Sequence, residues 1–510
     1  MFKNRLLFIF LFVLSLATSS LRAANYFSLK HIVLENRKHQ TIKEDKKLHK
    51  ILQKYTNKNL TLKDLQSLQK ELQNYYKSIG YEYTKIIIPP QTIKQGTLHL
   101  IVYKPIVGKI VVEGNKYYST KFILERFRAK ENDYLKYNDM IESLLMINDY
   151  PDINTKIFLQ NNKDTNKTDV ILKVKDERPF HAFLQFDNLG SKTISKNRAN
   201  INISYGNLLR DGDTFQFYTT YALKHDKHNQ LYMTNYSVPI NTYNTKLNLG
   251  YLTSTYLVGG EFQDLGIKGD TKNYNIGLSQ PIFKTFKQSL NFSLRYTKKR
   301  MKNYILDTQT SKEVINDYDS VFDYSINSLY ASNKIQFGIL FGKIEDEALK
   351  SRTEGSDKFI KYHCKISRNQ FINKTNSIVF KVEGQYSNYR LPTTEMYSIG
   401  GSNTVKGFDS STGMGDSGYS TSLEWLNQLF QFKSLICQAG VFINYGEVYK
   451  TNPITSEYKD GALLGYGVDT KFSMSNRYFL DLSLGYPIDS KNIDYQRKAQ
   501  IYATLNIKLW

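Results

Sequence analysis

The strongest constraint in this sequence is a two-residue periodicity that extends from Phe180 to Trp510. It is clearest near the end, where apolar residues occupy every odd position from Ala499 to Leu509, with polar or amphipathic residues between them. Side chains on a β-strand point alternately to opposite faces, so this pattern predicts strands with one apolar and one polar face. We expect strands alone in this region.

Alternating segments recur about sixteen times in this region, an even number as a closed bacterial barrel requires. Most connectors are brief and polar, but longer ones occupy 301–320, 346–357, 389–417 and 447–460. Short periplasmic turns and longer outer loops produce such an asymmetry. We therefore predict a mainly β fold with a transmembrane antiparallel β-barrel over 179–510. A soluble sandwich would alternate similarly, but it would need neither so long a run without helices nor an export signal.

The first 24 residues predict export. Lys3 and Arg5 precede an apolar run from Leu6 to Leu16, and small residues follow up to Ala24. This order is typical of a secretory signal peptide, so we expect residues 1–24 to be removed. The alternative is an anchoring helix, but the apolar run is shorter than the ~18 residues that a spanning helix needs.

The composition limits the possible functions. A formal net charge of +22 would suggest a nucleic-acid partner in a cytoplasmic protein, but export argues against it. The lysines are scattered, which fits a solvated surface, a charged lumen or contact with anionic lipopolysaccharide. Cys364 and Cys437 are the only cysteines, so the chain is no disulfide scaffold. No phosphate-binding, dinucleotide or zinc motif appears, and we expect neither enzymatic activity nor a cofactor.

Two short motifs resemble chemical sites. Residues 415–418 read Gly-Asp-Ser-Gly, as around the nucleophile of trypsin-like proteases. A serine protease also needs a histidine base, and no histidine follows His363, so we interpret the segment as part of a glycine-rich loop. His225 and His228 lack a third ligand or a helix to orient them. We predict no catalytic residue and no metal site.

Between the signal peptide and the barrel, two units share the order β-α-α-β-β. In the first, Thr61 and Asp64 have the spacing of a capping box before a helix that ends at Gly80. Two such units resemble POTRA domains, the polypeptide-transport-associated modules that precede outer-membrane barrels, and residues 78–115 are similar to the junction between two of them. The resemblance implies periplasmic POTRA domains over 25–104 and 105–178. A plain structural spacer is the alternative.

The long connector 389–417 contains Val405, Lys406, Gly407 and Phe408 after two glycines. This tetrad resembles the signature of the outer-membrane assembly and secretion superfamily, in which arginine takes the second position. The resemblance implies a loop that folds back into the lumen and binds the inner wall at its tip, and hence a gating or secretion motif. An ordinary glycine-rich surface loop is the alternative.

In that superfamily the loop tip binds the aspartate of a Phe-x-Asp motif on the strand after next. Here that strand carries Phe442 and Asn444, whose alternation with Val441 and Ile443 places both inside the barrel. Lysine and asparagine replace the arginine and aspartate, so a bidentate ion pair cannot form. We expect a charge–dipole hydrogen bond of about 1.5–3 kcal/mol between Lys406 and Asn444, and a tip held less firmly than in relatives.

Residues 183–222 resemble the first hairpin of two-partner secretion transporters, and two POTRA domains before about sixteen strands are that family's architecture. The chain is identified as a member of this TpsB-type family, which includes the haemolysin-activator and filamentous-haemagglutinin transporters. The resemblance implies an outer-membrane pore that recognises an exported partner through its POTRA domains and translocates it unfolded to the cell surface.

The partners implied are a secreted exoprotein of the adhesin or cytolysin type, outer-membrane lipid and lipopolysaccharide, and periplasmic chaperones. We expect a monomer in the outer membrane of a Gram-negative bacterium. An insertase for other outer-membrane proteins is the alternative, because such a protein also combines POTRA domains with a barrel. A passive porin is a third hypothesis, against which the POTRA pair argues.

Overall fold

The computed structural model describes residues 26–223, 229–345 and 348–509. The predicted signal peptide lies outside them. The chain divides into two compact units. The first comprises the residues up to Glu113 with 127–143 and 157–172, and the second comprises 114–126, 144–156 and the chain from Lys173 onwards.

The first β-α-α-β-β repeat belongs to the first unit. Its elements are β1 Phe27–Leu29, β2 His31–Glu35, α1 Lys46–Gln53, β3 Lys58–Leu60, α2 Leu62–Ser78, β4 Lys85–Ile87 and β5 Thr97–Tyr103. Strand β5 lies between β2, to which it is parallel, and β4, to which it is antiparallel. Strand β4 is therefore an edge strand of this sheet.

Helix α2 shows why the first repeat folds as the sequence predicts. The Thr61 hydroxyl accepts the N–H of Asp64, and the Asp64 carboxylate accepts the N–H of Thr61, which confirms the capping box. The buried side chains of Leu65, Leu68 and Leu72 face the core from one stripe of the helix. No helix in the described ranges combines the length and apolar character needed to cross a membrane.

The second repeat has the predicted order as well. Its elements are β6 Val107–Glu113, α3 Thr120–Arg126, α4 Tyr137–Ile147, β7 Ile153–Asn162 and β8 Lys167–Asp176. The sheet order is β6-β8-β7, so β7 is an edge strand. The predicted order omits the short strand β3, which pairs with β1, because three residues are too few to show a period. The first predicted strand, Phe27–Leu34, is divided into β1 and β2.

Sixteen antiparallel strands close into a barrel, which confirms the predicted fold class. They are β9 Phe180–Asp187, β10 Arg198–Gly206, β11 Thr214–Ala222, β12 Gln230–Pro239, β13 Lys246–Leu257, β14 Lys268–Lys284, β15 Gln288–Ile305, β16 Thr308–Asn327, β17 Ala331–Ile344, β18 Lys358–Phe371, β19 Asn376–Tyr386, β22 Ser417–Phe432, β23 Leu435–Tyr449, β24 Asp460–Met474, β25 Tyr478–Lys491 and β26 Gln500–Lys508. Two further strands, β20 Tyr397–Ile399 and β21 Gly413–Gly415, lie in the connector between β19 and β22.

The two faces of the barrel wall differ as the alternation predicts. On β23, Val441 and Ile443 are 49% and 46% exposed, whereas Phe442 and Asn444 are 5% and 2% exposed. The apolar face therefore points outward to lipid, and the polar face points to the lumen. Outward aromatic rings stack across neighbouring strands, as Tyr296 and Tyr318 do at 5.1 Å between ring centroids.

The predicted long loop over 301–320 is wrong. Strands β15 and β16 continue through it and are joined by a tight turn at Leu306 and Asp307, both of which have positive φ. Beyond the membrane both faces of a hairpin can be polar, so the apolar–polar alternation that identifies a membrane strand disappears there.

The barrel closes through its shortest strand pairing. Strands β26 and β9 share five residue pairs, from Lys508–Phe183 to Thr504–Asp187, whereas every other neighbouring pair in the barrel shares at least eight. The Asn188 side chain extends this seam, because its amide donates to the Ile501 carbonyl at 2.9 Å and accepts the Ala503 N–H at 2.8 Å.

Candidate functional site

The tetrad singled out from the sequence lies on the connector 387–416, which we call the lumen loop, and Phe442 and Asn444 lie on β23. The lumen loop begins after β19, makes a 3₁₀ turn at Thr393–Glu395 and forms a hairpin from β20 and β21. Residues 400–412 are the tip of this hairpin and contain the tetrad. The tip contacts inward-facing side chains of the barrel wall, so the loop lies inside the lumen.

Two apolar side chains of the tetrad are buried. Val405 is 0% exposed and Phe408 is 3% exposed, and they pack in a cluster with Ile399, Val448 and Leu463. Burying a side chain of this size stabilises the packed state by about 1.5–3 kcal/mol. The tip is therefore packed against the wall.

Two ion pairs involve the tip: Asp409 pairs with Lys192 of the connector between β9 and β10, and Lys406 pairs with the barrel wall. The Lys406 ammonium donates to Oδ1 of Asp469 at 2.7 Å and to the Ser483 hydroxyl at 3.3 Å. It also lies 4.1 Å from the centroid of the Phe442 ring, which gives a cation–π contact. Phe442 therefore faces the loop tip, as the sequence resemblance implies.

Asn444 contacts the tip in a different way from that expected. Its Oδ1 accepts the backbone N–H of Lys406 at 3.4 Å, and its Nδ2 donates to the Ser422 hydroxyl at 2.8 Å. The expected bond between the side chains of Lys406 and Asn444 is thus wrong, because the ammonium binds the carboxylate of Asp469 one strand further on. Asp469 was missed, although its alternation with lipid-facing Val468 marks it as an inward carboxylate.

The backbone of the tip approaches the wall closely. Gly407 has a φ of +103°, which other residues rarely adopt. On the facing strand β24, a Cβ at Gly465 would lie 2.1 Å from the Lys406 carbonyl oxygen, so only glycine fits there. Glycines on both sides therefore bring two backbones into contact.

Tyr502 connects the tip to the last strand of the barrel. The Gly407 N–H donates to the Tyr502 hydroxyl oxygen at 3.0 Å, and that hydroxyl donates to the Phe408 carbonyl at 2.8 Å. Tyr502 lies on β26, which closes the barrel against β9. The tip is therefore bound beside the seam.

The stem of the lumen loop is bound to another part of the wall. Glu395 is 2% exposed and accepts from Lys299 of β15 at 2.5 Å and from Lys361 of β18 at 2.8 Å. Lys299 also pairs with Asp317 of β16 at 2.7 Å. Because buried charges are stable only when paired, this cluster holds the stem in place. The lumen loop thus crosses the lumen from one wall to the other.

The base of the loop is bound by neighbouring outer connectors. Asp416 is 0% exposed and accepts from Arg352 at 2.6 Å, from the Leu391 N–H at 2.7 Å and from the Thr451 N–H at 2.8 Å. These contacts join connectors 345–357 and 450–459 to the lumen loop, and we call them the outer clamp.

Arg390 and Glu457 complete the outer clamp. The Arg390 guanidinium donates to Glu457 at 2.8 Å, and Arg352 approaches the same carboxylate at 3.4 Å. Burial alone would raise the pKa of Glu457, but the hydrogen bond from Arg390 and the charge of Arg352 hold it below its ordinary value. Glu457 is therefore ionised at neutral pH.

The two motifs that resemble chemical sites in the sequence are the Gly-Asp-Ser-Gly segment and the pair His225 and His228. The Gly-Asp-Ser-Gly segment supplies Asp416 to the outer clamp, and its Ser417 hydroxyl accepts the Ser387 N–H at 3.0 Å. Its polar groups thus serve loop structure. His225 and His228 lie outside the described residues.

Part of the second repeat contacts the periplasmic turns of the barrel. The Tyr150 hydroxyl donates to Asn244 at 2.8 Å and accepts from Arg126, which also donates to the Asn241 carbonyl. A cavity of about 660 Å³ opens beside Tyr150, and its lining includes the charged side chains of Lys246 and Arg295.

The sequence matches two known families. Residues 166–472 match the haemolysin secretion/activation protein family ShlB/FhaC/HecB, and residues 27–104 match the ShlB-type POTRA domain. The heme/hemopexin transporter protein HuxB of Haemophilus influenzae (strain 86-028NP) is 25% identical over 500 residues, which cover 94% of this chain and 86% of that protein. The outer membrane transporter CdiB of Dickeya dadantii (strain 3937) is 22% identical over 395 residues, 74% and 67% of the two chains.

Solved structures share the fold. CdiB from Escherichia coli superposes with a TM-score of 0.81 at 18% identity, over 96% of this chain and 92% of that one. BamA from Haemophilus ducreyi, lacking POTRA domains 1–3, gives a TM-score of 0.55 at 15% identity, over 95% and 100% of the two chains. The family match covers more than half of the chain, and the barrel and the POTRA order agree with it. The chain belongs to the haemolysin secretion/activation family ShlB/FhaC/HecB of two-partner secretion transporters in the outer membrane.

Proposed function

We propose that this transporter moves its partner protein through the barrel lumen and that the lumen loop is the gate. The observation that carries the proposal is the binding of the loop to both walls, through Glu395 at the stem and Lys406 at the tip. A polypeptide needs a continuous hydrophilic path, and the loop occupies that path. At least one of the two contacts must open during transport.

The partner is an exoprotein of the adhesin or cytolysin type that reaches the periplasm unfolded. The sheet of each POTRA repeat has an edge strand, β4 in the first and β7 in the second, against which an extended segment of such a chain can pair. Pairing of this kind recognises an unfolded polypeptide through its main chain. The cavity beside Tyr150, with the charged side chains of Lys246 and Arg295 in its lining, then provides a way into the lumen.

Transport in this compartment proceeds without ATP, so its direction has to come from the partner itself. Folding of the exported chain at the cell surface removes it from the lumen side and prevents its return. The transporter acts as a monomer with its POTRA domains, over 25–104 and 105–178, in the periplasm and its barrel over 179–510. Outer-membrane lipid surrounds the barrel, and periplasmic chaperones deliver the unfolded partner.

The experiment is a secretion assay in a host that lacks its own copy of the system. The transporter is co-expressed with the exoprotein encoded beside it, and exoprotein in the medium is measured against periplasmic exoprotein. Lys406→Ala is expected to impair secretion, because without its ion pair to Asp469 the tip no longer returns to its bound position on the wall between transport events. Lys374→Ala, which removes the same charge from a periplasmic turn, is the matched control. Undiminished secretion by Lys406→Ala would refute the gate.

The insertase hypothesis is favoured by one observation, the five-pair seam between β26 and β9. An insertase would act by opening this seam to the membrane. A disulfide between Phe186→Cys and Leu505→Cys, which are paired across the seam, closes it. Transport through the lumen is expected to continue in the closed variant, whereas loss of client insertion into the outer membrane would support the insertase.

A further inference from the structure

The outer surface of strands β14–β18 carries a concentration of positive charge. Its members all lie on the outward-facing side of the barrel and above the lipid-facing band: Lys272, Arg300, Lys302, Lys312, Lys343 and Lys358. Strand pairing brings them together, since Lys272 is paired with Arg300, Lys302 with Lys312 and Lys343 with Lys358. We call these six residues the cationic patch.

The positive charges of the cationic patch outnumber the carboxylates of the described residues around it. On the same outward face, Asp270 is paired in register with Lys302, and Glu345 lies two residues after Lys343. Lys298, at the lower margin of the patch, pairs with Glu345 at 2.6 Å. For the six residues of the patch, no carboxylate oxygen of the described residues lies within 4.0 Å of a side-chain nitrogen. Exposed cations that outnumber the neighbouring carboxylates repel one another, and an anionic ligand would relieve that repulsion.

The strand lengths indicate where the cationic patch lies relative to the membrane. A membrane-spanning β-strand needs about 9–11 residues, and β15 starts at its periplasmic end with Gln288, so its spanning part ends near Lys298. Arg300 and Lys302 follow directly above. Chain direction places this end of β15 outside the cell, so the patch lies at the headgroup level of the outer leaflet.

The rows directly below the patch are apolar. Ile276, Tyr296, Tyr318, Phe341 and Ile360 lie side by side in register on the same outward face. This belt can contact acyl chains while the cations above it contact phosphates. One lipid molecule can therefore contact the apolar belt with its acyl chains and the cationic patch with its phosphates.

The far side of the barrel has a different surface at this level. On β22 and β23 the rows above Leu423 and Ile443 carry Tyr419, Tyr445 and Glu447, and both tyrosine hydroxyls donate to the Glu447 carboxylate at 3.1 Å. The cationic patch is therefore a local feature of β14–β18, the wall that lies farthest along the sheet from the seam between β26 and β9.

We infer that the cationic patch is a binding site for a phosphorylated, multiply acylated glycolipid of the outer leaflet, that is, for lipopolysaccharide. The phosphates bind the lysines and the arginine through charge-assisted hydrogen bonds, and the acyl chains lie against the belt below. The inference rests on the outer-membrane location and is independent of the lumen gate. The bound lipid holds the wall opposite the seam in the membrane.

The test uses the full chain, purified in a mild detergent and stripped of lipid. Binding is measured with purified lipopolysaccharide, with the same lipopolysaccharide after removal of its phosphates, and with vesicles of phosphatidylglycerol. The variant combines Arg300→Gln, Lys302→Gln and Lys343→Gln. The matched control combines Lys287→Gln, Lys374→Gln and Lys433→Gln, which remove three charges from exposed periplasmic turns.

We expect the patch variant to lose at least about tenfold in affinity for intact lipopolysaccharide, because each cation near an anionic surface contributes about 1 kcal/mol. The control variant should bind like the wild type, and removal of the phosphates should weaken binding to the wild type. Equal binding by patch and control variants overturns the inference, as does equal binding of phosphatidylglycerol and lipopolysaccharide. Loss of secretion by the patch variant with unchanged lipopolysaccharide binding would indicate that the patch binds the exported protein, and it would overturn the inference as well.

The patch variant must be folded for this comparison. The five strands β14–β18 keep their inward contacts because all three substituted side chains point outward, so the heat-modifiability of the barrel in gel electrophoresis should match that of the control. If the triple variant does not fold, the single variant Lys302→Gln is expected to show a smaller loss of affinity, of about fivefold, in the same assay. Unchanged affinity in that folded single variant also overturns the inference.

Discussion

The ammonium of Lys406 lies 2.7 Å from Oδ1 of Asp469, and this single ion pair joins the tip of the lumen loop to the wall of β24. The Lys406 side chain is 19% exposed, whereas the Glu395 carboxylate at the stem is 1% exposed and paired with two lysines. Separating buried charges costs more than separating partly exposed ones. The tip should therefore release before the stem, and the loop should pivot on Glu395.

The first prediction concerns this ion pair. Lys406→Ala or Asp469→Asn should release the tip, because a hydrogen bond to a charged group contributes about 1.5–3 kcal/mol. That change raises the released population roughly tenfold to a hundredfold. Single-channel recordings in planar bilayers should show more frequent open events. The exchange Lys406→Asp with Asp469→Lys should partly restore the closed state, and no restoration would mean that the two residues act separately.

The second prediction concerns Tyr502. Tyr502→Phe keeps the ring but removes the acceptor for the Gly407 N–H and the donor to the Phe408 carbonyl. We expect the tip to lose about 0.5–1.5 kcal/mol for each bond. A spin label at exposed Asn403 should become more mobile in this variant. Identical spectra in the variant and the wild type would show that the tip does not depend on the last strand.

The third prediction concerns the stem. Glu395→Gln leaves the charges of Lys299 and Lys361 with less compensation in a buried position, so the barrel should lose about 3–5 kcal/mol of stability. Glu345→Gln, which opens the surface pair with Lys298, is the control and should cost at most about 1 kcal/mol. Urea unfolding followed by tryptophan fluorescence measures both. Similar losses in the two variants would contradict a structural role for the stem cluster.

The fourth prediction follows from the lowered pKa of Glu457. A carboxyl whose pKa is lower in the folded state stabilises that state above its ordinary pKa of 4.5, and the contribution disappears as the pH falls through the folded pKa. Conductance should therefore rise at acidic pH below about 4.5 as the outer clamp weakens. Glu457→Gln should show raised conductance at neutral pH and a smaller change on acidification. A wild-type conductance independent of pH in this range would contradict the role of the clamp.

The barrel could be predicted from sequence because each membrane strand must present apolar residues to lipid and polar residues to the lumen. The same reasoning placed Phe442 and Asn444 inside. The reasoning did not identify Asp469 as the partner of Lys406, because the register between neighbouring strands decides which inward side chain the Lys406 ammonium meets. Asn444 is paired with Gly465, and Asp469 lies four residues further towards the periplasm on the same strand.

The ion-pair clusters around Glu395 and Asp416 could not be predicted from the sequence either. Their partners come from strands and connectors that are distant in sequence, and only closure of the barrel brings them together. The hairpin over 301–320 was not predicted for another reason. Outside the membrane no lipid contacts the strands, so their residues need not alternate between apolar and polar. The capping box at Thr61, in contrast, is local, and its geometry follows from spacing alone.

The central claim is that the tip of the lumen loop must leave the wall for the partner to pass. A Cβ at Gly446 would lie 2.9 Å from Cγ2 of Val405 and 2.9 Å from Cγ2 of Ile399. With Ile399→Ala to make room, Val405→Cys and Gly446→Cys are close enough for a disulfide. The measurement is secretion by this variant, with Cys364 and Cys437 replaced by serine, before and after a reductant is added to the cells. We predict little secretion while the disulfide is intact and recovery on reduction. Full secretion through a barrel whose disulfide is completely formed would contradict the account.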